Sequence, residues 1–250
     1  MLSILATGCA SSLYGWQVRT SSTPLPPSFQ PIVLEQHSVA LFGAVTIAAL
    51  RGNEDTLSHY LSGILEKVEP NWKVVSPHEL TRRINREGLA GDYAKMRVDY
   101  ELTNILDGGI LRKIAAAIGV RYVFQPRLAA FSQMMIDRFK FPGLDLRLTQ
   151  TRSSIMRVSL QLWDAEKGEI VWASMAETNM ANEAVSQDPV YLEDIARVTL
   201  GSIMSDFVNR KTASTYTPVN KFLNDLVEES VPKQNSENSS ISAPDKKVVE

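Results

Sequence analysis

From Val39 to Ile47 the chain carries an almost unbroken apolar run, the pattern of a buried strand, with Gly43 and the later alanines blurring its end. Leu57, Leu61, Ile64, Leu65 and Val68 then recur on one 3.6-residue face, after Asn53 and Asp55, either of which suits a helix cap. Trp72 to Val75 reads as a short strand. Ser76-Pro77-His78-Glu79 predicts a helix start from three signals: a capping serine, proline in the first helical position, and glutamate placed to close the box. Leu80 and Ile84 face inward from that helix and Gly88 stops it. A further helix is expected from Asp92 to about Leu106, broken by Asp107-Gly108-Gly109. Ile110, Leu111, Ile114, Ala115 and Ile118 form the next apolar face. Gly119 suits the left-handed position after it, and Val120 to Gln125 is the following strand.

The grammar changes from Ser153. Met156, Val158, Leu160 and Leu162 alternate with polar residues, which is the period-two pattern of a half-buried strand. Asp164 to Gly168 makes a turn and Glu169 to Ala176 returns, with Trp163 and Trp172 expected to pair across the hairpin. A last helix is expected from Asp188-Pro189 onward, bearing Leu192, Ile195, Ala196, Thr199, Ile203 and Phe207. The order implies an α/β (α+β) fold. It predicts a single mixed sheet of about five strands with helices packed on it, a C-terminal strand hairpin and a closing helix.

Composition divides the chain further. With 44% hydrophobic and 22% charged residues and a net charge of −2, it is ordinary globular material with one core. No run approaches the ~18 apolar residues of a spanning helix. The 26 basic and 28 acidic residues are mixed along the chain, which argues against a nucleic-acid partner. Residues 10–32, rich in Ser, Thr and Pro, read as a flexible tether. Residues 33–210 form the folded domain, 211–230 have room for a short helix, and 231–250 have the polar composition of a disordered tail.

Catalytic chemistry is absent from the motifs. His37, His59 and His78 stand at no metal-ligand spacing and read as surface residues. No phosphate loop, dinucleotide fingerprint or nucleophile elbow occurs, and Gly108-Gly109 reads as a helix break before it reads as an anion cradle. The sequence therefore predicts no metal, no cofactor and no enzyme. One long stretch, Phe131 to Thr149, is apolar for a connection. Met134, Met135, Ile136, Phe139, Phe141 and Leu144 mark it either as a strand extension packing on its own core or as a flap that touches a partner, a sister subunit or the bilayer.

The first nine residues end in the only cysteine, Cys9, behind Leu2, Ile4, Leu5, Ala6, Thr7 and Gly8. This resembles the lipobox of bacterial lipoproteins, so residues 1–9 read as a truncated signal, although no basic residue precedes Cys9. The resemblance implies acylation of Cys9, palmitate included, and a mature chain starting there. Each buried methylene contributes about 0.8 kcal/mol, so several acyl chains hold a protein at a bilayer. Ala10, where an aspartate would retain the protein at the inner membrane, points to the outer membrane and a periplasm-facing domain.

Two passages carry a second likeness. They are Ile114-Ala-Ala-Ala-Ile-Gly119-Val-Arg-Tyr122-Val-Phe and Val158-Ser-Leu-Gln-Leu-Trp-Asp164-Ala-Glu-Lys-Gly168-Glu-Ile-Val-Trp172. They are similar to passages in envelope lipoproteins of the CsgG, PelC and LpoB type, whose general α/β plan the N-terminal domain of TolB shares. Arg121 stands where that group often has Asp, and Pro126 interrupts the expected strand. The resemblance implies a non-catalytic lipoprotein that docks on or assembles an export or cell-wall machine through other envelope proteins, with a homo-oligomer as one arrangement. Its alternatives are a ring-forming export-pore subunit and, less favoured, an envelope enzyme.

Overall fold

The computed structural model describes residues 13–137, 140–141, 144–147, 150–183 and 190–217. Its frame is a mixed sheet of eight strands, not about five. Strands β1 (Leu13–Ser22), β2 (Val39–Leu41), β3 (Val45–Thr46), β4 (Val74–Val75) and β5 (Tyr122–Asp137) belong to it. A separate pair, β6 (Lys140–Phe141) and β7 (Leu144–Arg147), follows β5. The main sheet resumes with β8 (Gln150–Asp164), β9 (Glu169–Glu183) and β10 (Ala213–Tyr216). Its order is β10-β1-β9-β8-β5-β2-β4, with β3 continuing the β2 side of β5. β2 runs parallel to β4 and β5, whereas β5, β8, β9, β1 and β10 are antiparallel neighbours.

The helices are α1 (Val33–Gln36), α2 (Glu54–Val68), α3 (Pro77–Arg86), α4 (Ala90–Thr103), α5 (Gly108–Ile118) and α6 (Leu192–Val208). Ser76 caps α3 by accepting from the Glu79 N–H, but the Glu79 carboxylate turns to Arg82 and Arg83 at 3.1 and 2.9 Å instead of closing the box. Asp107 caps α5, accepting from the N–H groups of Gly109 and Ile110 at 2.8 and 2.9 Å. That carboxylate fills the place an anion would take at Gly108-Gly109, so the pair is a helix start packed on the β8–β9 turn. A Cβ on Gly168, which has φ 72°, would come within 3.2 Å of the Gly108 Cα.

Helices cover both faces, so there are two apolar clusters and not one core. On one face, α2 and α6 pack against β1, β5, β8 and β9, with Phe207 at the centre. Its ring meets Trp172 at 4.8 Å, Trp72 and Phe124 at 5.9 Å, and Phe29 at 6.4 Å between centroids. On the other face α3, α4 and α5 close over β2, β5 and the end of β8, enclosing Phe42, Tyr100, Val123 and Trp163. Trp163 and Trp172 therefore do not pair. Trp172 lies opposite Leu162 on the first face, and Trp163, the next residue on β8, points to the other face by the alternation of the strand.

The sequence-based domain boundaries move outward. Residues 13–22, assigned to the tether, form β1 and pair along their whole length with β9, burying Trp16 and Val18. Residues 213–216, assigned to a short helix, form β10 on the outer edge of β1. The fully buried Asp206 fastens both strands to α6: its carboxylate accepts from Thr20 Oγ1, from Ser214 Oγ at 2.7 Å and from Tyr216 Oη at 2.6 Å. Pro126 does not split β5. It lies in the gap where β2 has ended, opposite Phe124, and β3 has not yet begun, opposite Arg127, so fewer neighbours require the missing donor. Arg121, the departure from the group's aspartate, bonds Asp164 at 3.2 Å and reaches Glu166 at 3.3 Å, tying the start of β5 to the β8–β9 turn. Its guanidinium pKa is raised, chiefly by that Asp164 bond.

Truncating the central ring tests this packing. Phe207→Ala is expected to lower the unfolding free energy by about 3–5 kcal/mol, read from urea denaturation. A loss under about 1 kcal/mol would show that the aromatic cluster is not the centre of the first face.

Candidate functional site

The register of the long strands decides where the sequence-derived candidates lie. β5 and β8 pair from Tyr122 opposite Asp164 out to Asp137 opposite Gln150, with one bulge between Leu128 and Ala130. β9 follows β8 to Thr151 opposite Glu183, and β1 begins with Leu13 opposite the same Glu183. Leu13, Glu183, Thr151 and Ile136 therefore lie in line at one end of the sheet. The Asp164–Gly168 turn and Ser22 lie toward the other end. At ~3.4 Å per residue, the thirteen steps from Thr151 to Asp164 span about 44 Å.

The stretch with the apolar candidates continues from that first end. Met134 lies on β5, and its side chain is 52% exposed on the face opposite the Phe131 and Met156 side. Met135 and Ile136 also lie on β5, opposite Arg152 and Thr151. Phe141 ends β6 and pairs with Leu144 of β7. Phe139 lies outside the described residues, as does Cys9. Up to Asp137 the stretch is strand, but Met134 on it is exposed and does not pack on the core. Phe131 packs against the first apolar cluster, and Gln133, on the same side of the strand but exposed, donates from Nε2 to the Val190 carbonyl that precedes α6.

Among the described residues, no helix covers the outward face of this extension. Met134 and Met175 are exposed there, Ile155 is half-buried between them, and Arg157 bonds Glu177 at 2.5 Å. A second exposed apolar strip lies on and just after α4, where Val98, Leu102 and Ile105 are 56, 80 and 60% exposed. Isolated exposed apolar residues are ordinary. Three large apolar residues gathered at one helix end, two on α4 and one just past its cap, are the less common pattern.

The histidines separate. His37 packs edge-on against Tyr122 at 5.9 Å, whereas His59 of α2 and His78 of α3 line one cleft. Nothing in the sequence pairs those two, because they come together only where helices from the two faces of the sheet border one cleft. Among the described residues no group of three or more His, Cys, Asp or Glu is placed to hold a metal, and no helix is long and apolar enough to cross a membrane.

No family model matches the chain, and no curated protein matches it. Solved structures do. A PelC dodecamer from Paraburkholderia phytofirmans aligns over 75% of this chain and 95% of its own, at 12% identity and a TM-score of 0.42. Lipoprotein GNA1162 from Neisseria meningitidis aligns over 70% and 96%, at 14% identity and a TM-score of 0.38. The LpoB C-terminal domain from Salmonella enterica aligns over 56% and 82%, at 19% identity and a TM-score of 0.33. At this distance the likeness carries no argument about what the chain does.

The strand assignment of residues 13–22 has a direct test. In native-state hydrogen exchange, the β1 amides bonded to β9 are expected to be protected to the same degree as those of β9 itself. Exchange as fast as in an unstructured peptide would restore the flexible-tether reading.

Proposed function

We propose that this chain is a non-catalytic lipoprotein of the bacterial envelope. Acyl chains on Cys9 anchor it in the outer membrane facing the periplasm, and its exposed surfaces dock on an export or cell-wall assembly machine. The observation that carries this reading is the position of β1. Leu13, four residues after Cys9, starts a strand built into the sheet at the end from which the apolar β5–β8 connection also projects. Four residues reach at most about 14 Å. An anchored Cys9 would therefore hold that end of the sheet close to the lipid, with the β8–β9 turn directed away from it.

Two further features support docking over catalysis. The uncovered outward face of β5, β8 and β9 and the Val98–Leu102–Ile105 strip offer apolar surface without convergent acid–base groups. Partners reached in this way are envelope proteins or further copies of the chain.

The test uses the tagged full-length protein in cells beside Cys9→Ser and Leu102→Asp. Cys9→Ser is expected to lose acyl mass at the mature N-terminus and to leave the membrane fraction. Leu102→Asp is expected to stay anchored and folded but to recover less of the cross-linked envelope partner. A native N-terminus without acylation, together with soluble fractionation of the unaltered protein, would contradict the anchor. Undiminished partner recovery from Leu102→Asp would remove the α4 strip from the account.

A further inference from the structure

Three helices turn polar residues toward one open cleft of about 500 Å³. It lies past the carboxyl ends of the parallel strands β2 and β4, the place where open α/β sheets form binding crevices. Asp55, His59 and Ser62 face it from α2, on the side of that helix away from the buried Leu57, Leu61 and Leu65. His78 enters from the first turn of α3, and Tyr93 and Arg97 from α4.

Arg97 is held in place by its backbone contact and its aromatic neighbour. Its Nη2 donates to the Ala44 carbonyl at 2.8 Å, and its guanidinium carbon lies 5.9 Å from the centre of the Tyr93 ring. A Cβ on Gly43 would come within 2.7 Å of Nη1, so glycine at that position leaves the guanidinium its place. The carboxylate that its charge reaches is Glu54, which is already engaged by Thr46 Oγ1 and by the Gly52 N–H, each at 2.6 Å. Burial raises the Glu54 carboxyl pKa, but those bonds and the Arg97 charge outweigh it and hold the group below its ordinary value. Arg97 forms no ion pair among the described residues. Asp55 is the one carboxylate in the cleft lining among those residues, against a guanidinium, two imidazoles and several hydroxyls. The partial positive charge at the start of α3 adds in the same direction.

We propose that this cleft binds a small ligand through an oxyanion group, phosphate or carboxylate, with Arg97 as its charge partner and His59 and His78 as donors at the rim. A guanidinium presents a planar fork of N–H groups that matches either oxyanion, and with one N–H spent on Ala44 it keeps others free. The site is independent of the anchor. It lies past the ends of β2 and β4, between α2 on one face of the sheet and α3 and α4 on the other, and its lining includes neither β1 nor the β5–β8 extension.

The full-length protein is titrated with inorganic phosphate and, separately, with glucuronate, following backbone amide NMR shifts. Saturable shifts are expected at Gly43, His59 and His78 with one or both anions. Stronger binding of phosphate assigns a phosphoryl ligand, and stronger binding of glucuronate assigns a sugar acid. Arg97→Gln is expected to weaken binding by at least about tenfold, as for a lost charge-assisted hydrogen bond. Because Arg97 also holds the Ala44 carbonyl, Ser62→Asp supplies a second variant that adds a negative charge at the cleft without touching the apolar core. It should weaken binding to a similar degree. No saturable shift with either anion at tens of millimolar overturns the proposal, and so does equal affinity in the unaltered protein and both variants.

Discussion

The pairing of β1 with β9 is the constraint on which the rest of the account depends. Ten consecutive residues, Leu13 to Ser22, lie in register on β9, and the pairing shows no bulge. Trp16 and Val18 point into the first apolar cluster, while Thr20 reaches Asp206. Asp206 is buried, and among the described residues no cationic side chain is bonded to its carboxylate. Its charge is met by three hydroxyls, two of them on β10, so losing β1 or β10 would leave a carboxylate short of donors. The clamp therefore joins the start of the described chain, its closing strand and the last helix in one unit.

That unit changes the mechanical picture. A tether of some twenty residues would let a domain wander over the membrane surface at many orientations. With Cys9 acylated, as proposed, the anchor would lie four residues before a sheet strand, which would set both height and direction. The strands are long on one side and short on the other: β5, β8 and β9 run fifteen or sixteen residues, whereas β2, β3 and β4 run two or three. The helix-covered body thus sits back from the end where β1 begins. The α4 strip and the cleft belong to that body.

Most of the body was legible from residue patterns. Five helices follow apolar spacing and punctuation: Ser76 before α3, Asp107 before α5, and Gly119 in the left-handed conformation after α5. The β8–β9 hairpin follows its period of two. β1 escaped because its outward residues, Gly15, Gln17, Arg19 and Ser21, are small or polar, and because the Pro-rich stretch that follows colours the whole segment as linker. Only Trp16, Val18 and Thr20 at alternate positions signalled a strand, and a buried threonine weakens that signal. β10 carries one large inward side chain, Tyr216, too little to set a period. The cleft could not be read at all, since Asp55, His59, His78 and Arg97 come together only where helices from the two faces of the sheet meet beyond the ends of β2 and β4. Gly43, read as a flaw in a strand, instead leaves room for a guanidinium.

The orientation of the anchored domain is open to one direct measurement. A fluorophore is attached to a single introduced cysteine at Met134 or at Lys167, in protein in which mass spectrometry has first established that the Cys9 thiol is acylated, and lipid-borne quenchers are placed in the bilayer. The two positions lie toward opposite ends of the long strands. The account predicts strong quenching at position 134 and little at 167. Equal quenching at both, or stronger quenching at 167, would contradict it.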